Sequence, residues 1–108
     1  MKKLLVVACA AMLAAGAAHA YKDGVYQGEG KGRESTIQVE VTVKDQKVAD
    51  IKVLKQGETE MIFGMAIEQL KPEIIEHNGT KGVDTVGGAT MSSKGIIAAV
   101  NDALSKAQ

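Results

Sequence analysis

Residues 36–44 alternate without a break. Ile37, Val39, Val41 and Val43 are β-branched and apolar, and Thr36, Gln38, Glu40, Thr42 and Lys44 between them are polar. A period of two puts all four apolar side chains on one face of an extended strand and does not suit a helix, whose face repeats every 3.6 residues. That face needs cover, so the segment commits the chain to a sheet with one buried side. Asp45-Gln46-Lys47 is polar turn sequence, and Val48–Leu54 returns with Ala49, Ile51 and Val53 in one phase, which predicts a hairpin.

The cover comes from the second half. Ile62, Ala66, Leu70 and Ile74 recur every four residues, widened by Phe63 and Ile67, as on an amphipathic helix. Pro72 falls inside that pattern and cannot donate to the helix ladder, so a kink or restart is expected there. His77-Asn78-Gly79 supplies C-cap chemistry. A glycine-containing loop from Thr80 to Ala89 leads to a last helix over about Met91–Lys106, with Ile96, Ile97, Val100, Ala103 and Leu104 inward. Ahead of the hairpin, Gly24, Gly28, Gly30 and Gly32 predict a short strand around Val25–Gly28 and then a flexible loop. Gln56 to Glu60 is a polar loop, in which Glu58 and Glu60 are expected to be solvated. Strands first and helices after make an α+β domain, a small antiparallel β-sheet with helices packed on one face.

The first 20 of the 108 residues have a different composition. Met1-Lys2-Lys3 is a short basic start, Leu4–Ala18 is a small and apolar run, and Ala18-His19-Ala20 fits a small-x-small cleavage site. The expectation is a secretory signal peptide over 1–20, a mature start at Tyr21, one domain over 21–108, and an exported, periplasmic or extracytoplasmic location. The apolar run is shorter than the ~20 residues of a membrane span, so no stable span is expected after cleavage. Five apolar residues precede Cys9, too few for the ~7–15 of a hydrophobic region ahead of a lipid-modified cysteine. Cys9 is the only cysteine, so disulfides and haem-attachment chemistry drop out of the mature chain. The 13 Lys+Arg balance 13 Asp+Glu, and with Lys2 and Lys3 in the leader the remainder has a slight acidic excess, which excludes an electrostatic footprint for nucleic acid. No Trp and one Phe leave a thin core, which a bound group could complete.

The chemistry concentrates in Asp84-Thr85-Val86-Gly87-Gly88-Ala89-Thr90 and the helix start Met91-Ser92-Ser93-Lys94. A glycine pair lets backbone approach a ligand closely, and Thr90 falls at or beside a helix N-cap, where unsatisfied N–H groups favour an anion. On the residues alone, this is either an ordinary loop capping a helix or an anion site. Lys94 could neutralise a phosphate or simply be a surface lysine. Tyr26 could stack on a ring or be a half-buried strand residue. His77 is the only histidine after the leader, which leaves no histidine metal cluster.

Asp84 to Thr90 resembles the flavinylation motif D-x-x-[S/T]-G-A-T of the FMN-binding domain family. Asp23-Gly24-Val25-Tyr26-Gln27-Gly28 is similar to that family's opening D-G-x-Y-x-G. The Ile37–Leu54 hairpin and Gln56-Gly57-Glu58-Thr59 occupy the places of its middle segment, so the similarity spans nearly all of the mature chain. The resemblance implies FMN joined by a phosphoester to Thr90, installed from FAD by a separate flavin transferase in a magnesium-dependent reaction. It also implies cofactor contacts from Asp84, Gly87, Gly88, Ala89, Ser92, Ser93, Lys94, Glu58 and Thr59. Similar domains occur in sodium-pumping NADH:quinone reductase, in Rnf-type complexes and in exported fumarate-reductase-like enzymes, all of which carry electrons.

Two positions depart from the pattern. Gly87 stands where the family has Ser or Thr, and Glu60-Met61-Ile62-Phe63 stands where relatives often read P-G-I-G. Met61 and Phe63 could pack on an isoalloxazine ring or belong to the core of the first helix. No catalytic set and no metal site accompany the motif. The expected function is therefore an electron carrier or redox subunit more than a stand-alone enzyme, with a c-type cytochrome or a flavin-dependent reductase as redox partner. A non-covalent FMN-binding module and a cofactor-free exported interaction domain are the alternatives.

Overall fold

The computed structural model describes residues 21–108, and the leader with Cys9 lies outside the described residues. In chain order these residues form β1 (Gly24–Lys31), β2 (Thr36–Lys44), β3 (Lys47–Lys55), α1 (Glu60–His77) and α2 (Thr90–Ser105). The strands pair as an antiparallel meander in the order β1-β2-β3, and the fold is α+β. Ile37, Val39, Val41 and Val43 of the central strand are at most 3% exposed, as the alternation requires.

Asp45 and Gln46 both have positive φ, 55° and 68°, the backbone of a type I′ hairpin turn. Neither is glycine, and the strained pair is held from outside. The Asp23 carboxylate accepts from the Asp45 N–H at 3.1 Å and from the Gln46 N–H at 2.8 Å. On β3 the expected phase fails. Thr42 pairs with Asp50 and Val43 with Val48, so Ala49 is an extra, bulged residue. The bulge turns Val48 into the core and Ala49 outward, while Ile51 stays inside.

The opening strand is longer than its glycines suggest. It runs to Lys31, and its core face places Gly28 and Gly30 opposite Val39 and Ile37. A Cβ on Gly28 would stand 2.1 Å from the Ala99 carbonyl oxygen, and one on Gly30 would stand 2.1 Å from that of Gly95. These glycines are therefore no flexible loop. They are the floor on which α2 lies, backbone on backbone, through its own small residues Gly95, Ala99 and Ala103.

Phe63, Ala66, Leu70 and Ile74 of α1 are buried, and Ile62 and Ile67 are half-buried. The helix passes Pro72 without a restart. Pro72 and Glu68, whose carbonyl loses its ladder partner, both face solvent, which can take up that carbonyl. Asn78 ends the helix in the left-handed region (φ 55°), and the Gly79 and Asn78 N–H groups close on the Ile74 and Ile75 carbonyls at 3.0 and 3.2 Å. Its side-chain oxygen accepts from the Val48 N–H at 2.7 Å, which ties the end of α1 to the start of β3.

These links orient the molecule. β1 leaves the sheet, β2 enters it and both helices begin at one end. The 45–46 turn and the last turns of α1 and α2 lie at the other. The two helices are therefore parallel, and residues 78–89 bring the chain back along the whole domain. No helix among the described residues is long and apolar enough to cross a membrane.

Candidate functional site

Where both helices begin, a cleft of about 250 Å³ opens. Arg33 and Glu34 of the β1–β2 connection line it, with Glu58 and Thr59 ahead of α1, Ile62 in the first turn of α1, and Gly88, Ala89, Thr90, Met91 and Ser92 at the start of α2.

Glu58 is the electrostatic centre of this end. Only 7% exposed, it is not the solvated loop residue that the polar sequence around it suggests. Oε1 accepts from the Arg33 N–H at 2.8 Å and the Ser92 hydroxyl at 2.9 Å, and Oε2 from the Glu34 N–H at 2.9 Å and the Ser35 hydroxyl at 2.6 Å. Burial pushes its pKa up, but those four donors outweigh burial and hold it at about 2, below an ordinary 4.5. One carboxylate thus ties the β1–β2 connection to the first turn of α2. Its charge is spent on positioning, because both oxygens are already occupied. Glu60 is exposed and outside the cleft lining, so it forms no pair with Glu58 there.

The motif loop is built around Val86, which is buried. Its N–H donates to the Ser93 hydroxyl at 3.0 Å and its carbonyl accepts from the Ala89 N–H at 2.9 Å. Gly88 turns the chain into the helix with φ +88°, a conformation that side chains disfavour. The N-cap is Ala89, which has no side-chain oxygen, and Thr90 is the first helical residue rather than the cap. The Thr90 hydroxyl is consequently not spent on capping and takes no partner among the described residues. The N–H groups of Thr90, Met91 and Ser92 likewise find no protein acceptor there, whereas that of Ser93 reaches the Ala89 carbonyl at 2.8 Å.

Of the residues that the sequence singles out, Thr90, Gly88, Ala89, Ser92, Glu58 and Thr59 converge on the cleft. Asp84, Gly87, Ser93 and Lys94 do not line it. Asp84 is exposed and accepts from the Thr85 N–H at 2.8 Å. Ser93 is fully buried and braces Val86. Lys94 is exposed, a full turn along α2. At Gly87 a Cβ would meet nothing within 4 Å, so a Ser or Thr would fit there and its absence distorts nothing. Tyr26 lies toward the far end of β1, its hydroxyl on the Lys22 carbonyl at 2.7 Å, away from the cleft. Phe63 is core and Met61 is 83% exposed, so the two departures from the family's glycines have separate fates. Arg33, Glu34 and Ile62, which no motif in the sequence marks, also line the cleft, together with Met91 of the helix start. No sequence signal marks Arg33 and Glu34, because tertiary contacts, those to the Glu58 carboxylate first among them, bring their turn here.

The cleft fits the phosphate end of a flavin nucleotide. Three N–H groups without a protein acceptor among the described residues, a helix N-terminus, a hydroxyl and Arg33 line it, against the carboxylates of Glu34 and of Glu58, the latter already saturated by four donors. Its volume is below the ~300–1,000 Å³ of pockets that enclose a drug-sized ligand, so it does not fit the whole nucleotide.

Comparison with known proteins agrees with this geometry. Residues 32–105, from the turn before β2 to the end of α2, match the family model described as FMN-binding domain. The chain is 30% identical over 84 residues to a Vibrio harveyi protein named NADH:acrylate oxidoreductase, an alignment covering 78% of this chain and 8% of that protein. It is 29% identical over 87 residues to an uncharacterised protein of Treponema pallidum (strain Nichols), covering 81% of this chain and 24% of that one. The chain thus corresponds to a small part of each relative. An FMN-binding assignment accounts for the glycine turn, the uncapped helix start and the free hydroxyl together, and the chain belongs to the FMN-binding domain family.

Proposed function

We propose that residues 21–108, freed of a signal peptide over 1–20, form an exported single-domain electron carrier with one FMN joined by a phosphoester to the Thr90 Oγ1. The observation that carries this reading is the uncommitted Thr90 hydroxyl beside the unpartnered N–H groups of α2, within the D-x-x-x-G-A-T sequence. Attachment balances as a transfer from FAD. The Thr90 oxygen bonds to the phosphorus on the riboflavin side, the pyrophosphate P–O bond breaks, AMP leaves and the hydroxyl proton goes to solvent. Magnesium and the flavin transferase come from outside this chain.

In this reading the N–H groups of Thr90, Met91 and Ser92 and the Arg33 guanidinium would hold the phosphate charge of a bound FMN. Arg33 takes the part that the sequence suggested for Lys94, because it lines the cleft and Lys94 does not. Glu58 holds Arg33 and α2 at a fixed separation. Asp84 lies outside the cleft, and its role in this reading is to be read by the transferase. Flavin supplies the electron transfer and the protein supplies attachment and electrostatics. Covalent attachment suits an exported protein, since a dissociable flavin diluted outside the cell would leave the site empty. The Vibrio relative is named NADH:acrylate oxidoreductase, and the partners proposed here are larger redox proteins, a flavin-dependent reductase or a c-type cytochrome.

The test is intact-protein and peptide mass spectrometry after co-expression with a flavin transferase. Wild type should exceed its sequence mass by one FMN less water, located on the Thr90 peptide. Thr90→Ala should fold and carry no covalent flavin, and Thr90→Ser, which keeps the oxygen, should load partially. Flavin retained in the Ala variant, or found on another residue, overturns the assignment.

A further inference from the structure

Three of the large apolar side chains left exposed are methionines at the two helix starts. Met61 is 83% exposed, Met65 46% and Met91 48%. Met65 lies one turn beyond Met61 on α1, and Met91 follows Thr90 and lines the cleft. The Met65 methyl stands 3.8 Å from where a Cβ on Gly88 would be, so its thioether reaches from α1 to the glycine turn ahead of α2. Scattered exposed apolar residues are ordinary, whereas several gathered beside a site mark a contact surface.

We propose that Met65 and Met91, with Ile62, form a seat for the isoalloxazine ring of the flavin, with one ring face on the thioethers and the other in water. The proposal rests on the attachment of FMN to Thr90 described above. A cleft of about 250 Å³ takes the phosphate and part of the ribityl chain but not the tricyclic ring as well. The ring must therefore lie outside it, on whatever surface a five-carbon tether from Thr90 reaches. Met91 is the next residue and Ile62 lines the same cleft, with Met65 three residues along α1. Methionine sulfur is polarizable and favours contact with aromatic rings, and its flexible chain adapts to a flat ligand. No aromatic among the described residues competes for the role, because Phe63 is in the core, Tyr26 lies toward the far end of β1, and Tyr21 lies by Gln46 at that same end. Met61 extends the apolar surface outward from the seat. A ring so placed keeps one face open for contact with a redox partner.

The test uses FMN-loaded protein, with iodide quenching of flavin fluorescence compared among wild type, Met65→Gln, Met91→Gln and the urea-unfolded holoprotein. Covered on one face, the wild-type ring should show a quenching constant clearly below that of the unfolded form. Both variants should fold, since the replaced side chains are about half exposed, and both should move toward the unfolded value. Met61→Gln should change it least. Peptide mass spectrometry runs alongside. FMN on Thr90 with wild-type quenching equal to the unfolded form, or with the two variants indistinguishable from wild type, overturns the seat and leaves the attachment standing. Flavin located elsewhere overturns both.

Discussion

Glu58 shows how one side chain can organise a site without acting in its chemistry. Its carboxylate joins Arg33, Glu34, Ser35 and Ser92, which come from the β1–β2 connection and from α2. Because its folded pKa is near 2 and the ordinary value is 4.5, the unfolded chain takes up the proton first as pH falls. Its contribution to stability is thus complete above about pH 5 and disappears between about pH 4.5 and 2. Urea denaturation at stepped pH should show that loss in wild type, and Glu58→Gln should show a shallower one. At neutral pH the Gln variant should be less stable by about 1–3 kcal/mol, since an amide NH₂ group then faces donors that had a carboxylate.

The contact between α2 and β1 is where sequence reading was weakest, and the reason is physical. Alternating β-branched residues in β2 and four-residue spacing in α1 announce themselves, because apolar side chains carry the pattern. Gly28 and Gly30 are core positions with no side chain, so their alternation resembles loop sequence. The Ala49 bulge was hidden for a related reason, as one extra residue shifts the phase without changing composition. At the site, the motif located Thr90 and the glycine turn, whereas the Arg33 turn could be placed only through a carboxylate 25 residues further along the chain. Gly30→Ala tests the close approach. Its new methyl would stand 2.1 Å from a helix carbonyl that cannot yield cheaply, and urea midpoints should fall by about 1–3 kcal/mol in stability. Gly87→Ala, with open space at the same distance, should stay within about 0.5 kcal/mol of wild type.

The whole domain is polar in the geometric sense, with the cleft at one end and its first and last described residues at the other. The Lys22 N–H donates to the Ala107 carbonyl at 2.7 Å, and the Tyr21 N–H to the Gln46 carbonyl at 3.3 Å. Cleavage after Ala20 would leave Tyr21 still able to make its bond. Exported protein should begin at Tyr21 by N-terminal sequencing and should melt as the same domain made without residues 1–20 does. Recovery of an intact leader would remove export from the proposal.

The Lys22–Ala107 bond has a further consequence for protein architecture. Residues separated by nearly the whole domain in sequence touch in space, on the side facing away from the cleft. A polypeptide can therefore enter and leave this unit at nearly one point, so the domain can be spliced into a longer chain or appended to either end without crossing the cleft. The same proximity would let a short peptide linker close residues 21–108 into a circle, reopened in any exposed connection.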